Sequence, residues 1–123
     1  MMYSAAQVLI IKKCIRKGLT GEQIALLADP SFTPEQMREI YYALRDNLSI
    51  ENVKMLAKPE LAQWQMQLIH TGMSRGITYK EIVPLINPDK LSQEVAYIHS
   101  DEIALRRWRI ENYERKKQEI SGP

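Results

Sequence analysis

A chain of 123 residues with 45% apolar and 26% charged side chains has the composition of one ordinary globular domain, long enough for a modest core. Its net charge of +2 demands neither nucleic acid nor a membrane, so any basic function must come from local clustering. One cysteine, Cys14, excludes an internal disulfide framework, and no run approaches the roughly 18 apolar residues of a membrane span. The apolar run Val8–Ile11 precedes its positive charges, the reverse of a signal peptide, so the expected location is the cytoplasm and no membrane partner is expected.

The first predicted element is a helix opened by Ser4, with Gln7 three residues on in capping-box spacing, and closed by Gly18-Leu19. Thr20 then caps a short second helix, which ends before Asp29-Pro30 because the residue preceding proline is pushed out of the α region. The same marks return 29 residues later. Thr33, Pro34 and Gln36 open a helix that closes at Asn47-Leu48, and Ser49 caps a short helix ending at Lys58-Pro59. A third pass brings Gln65, Gly76-Ile77, Thr78 and Asn87-Pro88. A fixed period of this length marks a repeat architecture, in which one unit cannot bury its apolar face and must stack on its neighbours.

Within the long helix of each copy the predicted core stripe is Val8, Ile11 and Ile15, then Met37, Ile40 and Leu44, then Met66, Ile69 and Met73. A small residue recurs at Cys14, Ala43 and Gly72, where close helix approach is expected, and this phase makes Cys14 a buried small residue rather than a reactive thiol. Pro84 falls inside the third short helix and should distort or delay it. A fourth copy begins in register at Glu94, Val95 and Ile98, then gives way to a charged pattern that predicts one long helix over about 92–119, followed by a frayed tail at Ile120–Pro123. The expected fold is therefore all-α: one domain over 1–123, three stacked antiparallel helical hairpins (about 4–32, 33–61 and 62–90) forming a short α-solenoid, plus the C-terminal helix.

Two basic segments are candidate sites. Lys12, Lys13, Arg16 and Lys17 span about 140° of one face of the first helix at roughly 100° per residue. Tyr41, Tyr42 and Arg45 fall on the following long helix, and His70 and Arg75 on the next. Together these form either a cationic, aromatic stripe suited to phosphates and exposed bases or the ordinary solvated face of the helices, with Tyr41 or Tyr42 packing between hairpins. In the last helix the cations around Trp108, namely Arg106, Arg107, Arg109, Arg115, Lys116 and Lys117, are offset by Glu94, Asp101, Glu102, Glu111, Glu114 and Glu119, and Glu102–Arg106 and Glu111–Arg115 have the i,i+4 order of an exposed helix. The sparse apolar set Ile103, Trp108, Ile110 and Tyr113 there suits docking of a partner or of a second copy as a homodimer. Trp64 has no equivalent in the other copies and is either a plug between units or an exposed anchor. His70 and His99 share one repeat position, but no further cysteine or histidine completes a zinc site, so no metal or cofactor is expected. Glycine-rich phosphate loops and nucleophile–base arrangements are likewise missing from the sequence, and the expected chain is not an enzyme.

The unit formed by Gln36-Met37 with Ile40, Asn47-Leu48 and Pro59, repeated as Gln65-Met66 with Ile69, Gly76-Ile77 and Pro88, resembles short helical repeats of accessory proteins on conjugative elements and phages of Gram-positive gut bacteria. The resemblance covers roughly residues 3–98, with Val8 in place of Met in the first copy; Asn47 stands where glycine is usual, and Pro84 also departs from the pattern. It implies no catalytic residues. What it implies is a mobile-element setting, in which small helical proteins serve as inhibitors of host defence, anti-CRISPR proteins among them. The expected function is thus a non-catalytic protein that occupies a protein or nucleoprotein partner through Tyr41, Tyr42, Arg45, His70, Arg75, Arg107 and Trp108. The alternative is direct RNA or DNA binding through Lys12, Lys13, Arg16, Lys17 and Arg45.

Overall fold

The computed structural model describes residues 2–87 and 92–121, with the backbone alone at 113, 114 and 116–121. It is all-helical: among the described residues there are seven α-helices and no strand. Long helices α1 (Ala5–Arg16), α3 (Pro34–Arg45) and α5 (Gln63–Ser74) alternate with short helices α2 (Gly21–Leu27), α4 (Ile50–Leu56) and α6 (Tyr79–Ile82). A 3-10 turn, Val83–Ile86, follows α6, and α7 runs from Gln93 to Ser121. The α7 helix thus reaches past the expected fraying point at Ile120; residues 122 and 123, like Pro88, lie outside the described residues.

Each boundary has a local cause. Ser4 and Thr33 accept from the backbone N–H of Gln7 and Gln36, whose side-chain oxygens accept in return from the Ser4 and Thr33 N–H at 2.7 and 2.8 Å. At α5 the cap residue is Ala62, so only the second half survives, Gln65 accepting from the Ala62 N–H at 2.7 Å. At the other ends Gly18, Asn47 and Gly76 adopt φ of 82°, 65° and 84°. That left-handed residue lets Leu19, Leu48 and Ile77 donate back to Cys14, Ala43 and Gly72, closing the same C-terminal motif three times. Pro84 confines α6 to four residues and turns the chain into the tighter 3-10 winding, although the helix starts on time at its Thr78 cap.

The glutamines do a second job. While its oxygen caps α1, the Gln7 amide donates to the Pro30 and Phe32 carbonyls at 3.2 and 2.6 Å; Gln36 donates to Pro59 and Leu61 at 3.0 and 2.6 Å. Each glutamine therefore ties the start of a long helix to the turn that leads into the next one. In the third copy the 3-10 turn offers the Ile86 carbonyl to Gln65 instead.

Packing follows the chain: α3 lies against α1, α5 against α3, and α7 against α5 and the 3-10 turn, while each short helix contacts its preceding long helix. The core is built from Met37, Ile40, Ala43, Val53, Leu56, Met66, Ile69 and Ile82, all fully buried. Cys14 is also buried, and burial raises its thiol pKa above the ordinary value. At Gly72 an added Cβ would meet Ile82 Cδ1 at 2.6 Å, so the α5–α6 approach uses the missing side chain. Trp64 is half-buried against this core, and its carbonyl accepts from the Tyr97 hydroxyl at 3.4 Å.

Two expected faces are corrected. In α1 the buried residues are Gln7, Ile10 and Cys14, whereas Val8 and Ile11 are half-buried and Ile15 is 60% exposed, because no helix covers that side of α1. In α7 the repeat register places Val95 and Ile98 inward, yet both are exposed. Ala96 and Ser100 are buried instead, with Ile103, Ala104 and Arg107 half-buried beside them. The helix is rotated by one to two residue positions, each roughly 100°, and meets α5 through small side chains.

Candidate functional site

Between α3 and α5 the structure brings a histidine and two carboxylates together. Glu39 is buried on α3 and His70 is buried on α5. His70 Nδ1 lies 3.7 Å from Glu39 Oε2, and His70 Nε2 is hydrogen-bonded at 2.7 Å to Asp46 Oδ2 from the end of α3. With a carboxylate at each ring nitrogen, the imidazolium form is favoured: Glu39, opposed by burial and joined by Asp46, raises the His70 pKa above its usual 6.5. In turn the His70 hydrogen bond lowers the Asp46 pKa. Glu39 Oε2 is buried without a hydrogen-bond partner, so the charge of His70 is what compensates it. His99 is not drawn in; it is half-exposed and faces its own Glu102 at 3.6 Å.

From this cluster a ladder of cations and rings runs back to α1. Arg45 pairs with Asp46 at 3.5 Å and lies over the Tyr42 ring at 4.8 Å. Tyr42 and Tyr41 are 5.7 Å apart between centroids, and Lys13 of α1 lies 5.2 Å above Tyr41. Tyr41 itself is buried in the junction and Tyr42 is half-buried, so the ladder presents its cations and one tyrosine edge to solvent. Lys12, Arg16 and Lys17 extend it; all three are exposed, and no side-chain hydrogen bond or ion pair engages them among the described residues. Their position in the last turns of α1 matches the negative end of its dipole.

At the opposite end, Arg75 pairs with Asp101 at 2.6 Å. Arg107 donates to the Gly76 carbonyl and pairs with Glu81 at 2.6 Å, fixing α7 across the end of α5 and the start of α6. The Glu81 pKa is lowered by the Thr78 backbone and side-chain hydrogen bonds and, less, by Arg107. Beside these clips Arg75, Asp101, Leu105, Arg107 and Trp108 line an open groove of about 480 Å³, in which Trp108 remains 59% exposed.

Of the residues singled out by sequence, then, Tyr41 and His70 are buried, Tyr42 is half-buried against the core, and Arg75 and Arg107 are tied by ion pairs to Asp101 and Glu81. Lys12, Lys13, Arg16, Lys17, Arg45 and Trp108 are exposed. Glu39 and Asp46 escaped the sequence reading. Their signal was a charged residue, Glu39, at the position that is Ile10 one copy earlier and Leu68 one copy later.

No family model, curated protein or solved structure matches this chain. Among the described residues no set of three or more His, Cys, Asp or Glu side chains is arranged to hold a metal ion, and no helix is long and apolar enough to cross a membrane.

Proposed function

We propose that this chain is a non-catalytic helical-repeat protein that holds a protein or nucleoprotein partner on the face running from α1 over α3. In this reading its three 29-residue units stack as antiparallel hairpins in a short solenoid closed by α7. The observation that carries it is the run of exposed cations, Lys13, Lys17 and Arg45, with the half-buried Tyr42 ring between them, on a surface where, among the described residues, no carboxylate engages Lys12, Arg16 or Lys17. Such a face fits an acidic partner surface, with tyrosine and arginine supplying the contacts that most often dominate binding. The buried Glu39–His70–Asp46 cluster is spent on joining α3 to α5, which supports binding rather than chemistry.

The mobile-element resemblance of residues 3–98 supports a further step. The protein acts in the cytoplasm as an inhibitor of host defence, of the anti-CRISPR kind, by covering the surface its partner needs. Direct RNA or DNA binding through Lys12, Lys13, Arg16, Lys17 and Arg45 is the second reading, favoured by the same exposed cations, although Arg45 is also paired with Asp46. The two readings differ in salt response. Phosphate binding weakens steeply between about 50 and 200 mM salt, because counterions are released, whereas a mixed protein interface weakens far less. Affinity capture from a bacterial lysate with and without nuclease separates them: a protein retained after nuclease supports the first reading, and loss of every partner supports the second.

A further inference from the structure

The two ends of the molecule are not finished alike. Positions that are closed inside the chain are open on α1 and α2. Met37 and Met66 are fully buried, as are Ile40 and Ile69, but their counterparts Val8 and Ile11 are half-buried. Val53 and Ile82 are fully buried, whereas Ile24 is half-buried. Leu44 is 4% exposed, and Ile15 in the same register is 60% exposed. The outer side of α1 thus carries the apolar pattern of an internal junction with no helix of the described residues laid on it, flanked by Lys12 and Arg16. A finite repeat array ordinarily shields such a side with a polar cap.

At the far end α7 presents the complement. Its rotation turns Val95, Ile98 and Leu105 away from α5 and leaves them 37–51% exposed. Glu94 and Glu102 are exposed on the same side. That outward side is therefore apolar and acidic over its first three turns; Arg106 and Arg109 make it basic further along.

We infer that copies of this chain associate head to tail, with the outward side of α7 in one copy covering the open side of α1 in the next. An apolar row bordered by Lys12 and Arg16 matches one bordered by Glu94 and Glu102. The contact is heterologous, so it leaves a free end on each side and lengthens with concentration instead of stopping at a two-fold dimer. It builds on the stacked-unit reading but not on any partner. Lys13, Lys17 and Arg45 take no part in it, so reversing their charge leaves self-association unchanged even where partner binding is lost.

The test uses the full chain in sedimentation velocity over a wide concentration range, with Ile15→Asp to spoil α1 and Leu105→Glu to spoil α7. Wild type is expected to grow in average mass with concentration, and each variant alone is expected to stay monomeric. An equimolar mixture of the two is expected to form a one-to-one dimer and stop there, because each variant retains one intact side. Both substituted side chains are already exposed, and circular dichroism checks that the helices are kept. Should either variant unfold, the paired variants Lys12→Glu with Arg16→Glu and Glu94→Lys with Glu102→Lys take its place: each is expected to be monomeric alone and to associate when mixed through the reversed pairs. A wild type that stays monomeric throughout overturns the inference. So does a dimer abolished by Leu105→Glu but untouched by Ile15→Asp, which would instead be two α7 helices pairing.

Discussion

Glu39 of α3 faces His70 of α5 across 3.7 Å, at the pair of positions that Ile10 and Tyr41 fill one period earlier. One junction in the chain is thus apolar and the next is ionic, in the same register. Removing one member of a buried ion pair strands the other and costs about 3–5 kcal/mol, whereas replacing both by packed apolar groups is often neutral or favourable. His70→Ala should therefore destabilise the fold by roughly 3 kcal/mol, measured by urea denaturation. Glu39→Ile with His70→Tyr, which copies the first junction, should recover most of that loss. A double variant as unstable as the single one would show that the ionic junction is required by its surroundings.

The same cluster makes stability depend on pH in a bounded window. The folded-state pKa of His70 is raised above 6.5, so its contribution is complete below that pH and is lost as pH rises through the folded value. Asp46 is shifted the other way, below 3.8; its contribution is present above 3.8 and is lost as pH falls through the lowered value. Thermal melting should peak between these limits and decline on both sides. His70→Gln should remove the decline on the alkaline side that belongs to this group, a comparison best made by melting both proteins in the same buffers.

Much of this architecture was legible because it is local. A Ser or Thr with Gln three residues later at α1 and α3, a Gly or Asn followed by an apolar residue after each long helix, and Pro30 and Pro59 after α2 and α4 act within a turn of the chain, and those helices begin and end close to them. Pro84 shortened α6 for the same local reason. Which side of a helix is buried is a property of its neighbours. Ile15 has the spacing of a core residue and nothing to pack on, while α7 turned by one to two positions because Ala96, Ser100 and Ala104 let it sit close to α5. Likewise the sequence leaves Tyr41 open between the exposed stripe and a place between hairpins, and it puts His70 on the stripe; the juxtaposition of α1 with α3 and of α3 with α5 takes both inside.

Gln36 separates the two ways a unit is held. Its side-chain oxygen caps α3, and its amide reaches the Pro59 and Leu61 carbonyls in the turn before α5. Gln36→Leu removes both and should cost about 2 kcal/mol, from a lost cap of about 1 and unsatisfied polar groups of similar size. Gln36→Glu keeps the capping oxygen but sets a carboxylate against two carbonyls, so it should be no more stable than the leucine variant. If the glutamate variant matches wild type in urea denaturation, the link to the turn contributes nothing.

The claim that the face from α1 over α3 is a binding surface is tested most directly by one comparison. Wild type and the variant Lys13→Glu, Lys17→Glu, Arg45→Glu are used as bait in nuclease-treated lysate, with circular dichroism confirming equal helicity. The account predicts a protein retained by wild type and lost by the variant, since all three side chains point outward and none carries the core. A partner held equally by both baits would contradict it and would move the binding surface off α1 and α3.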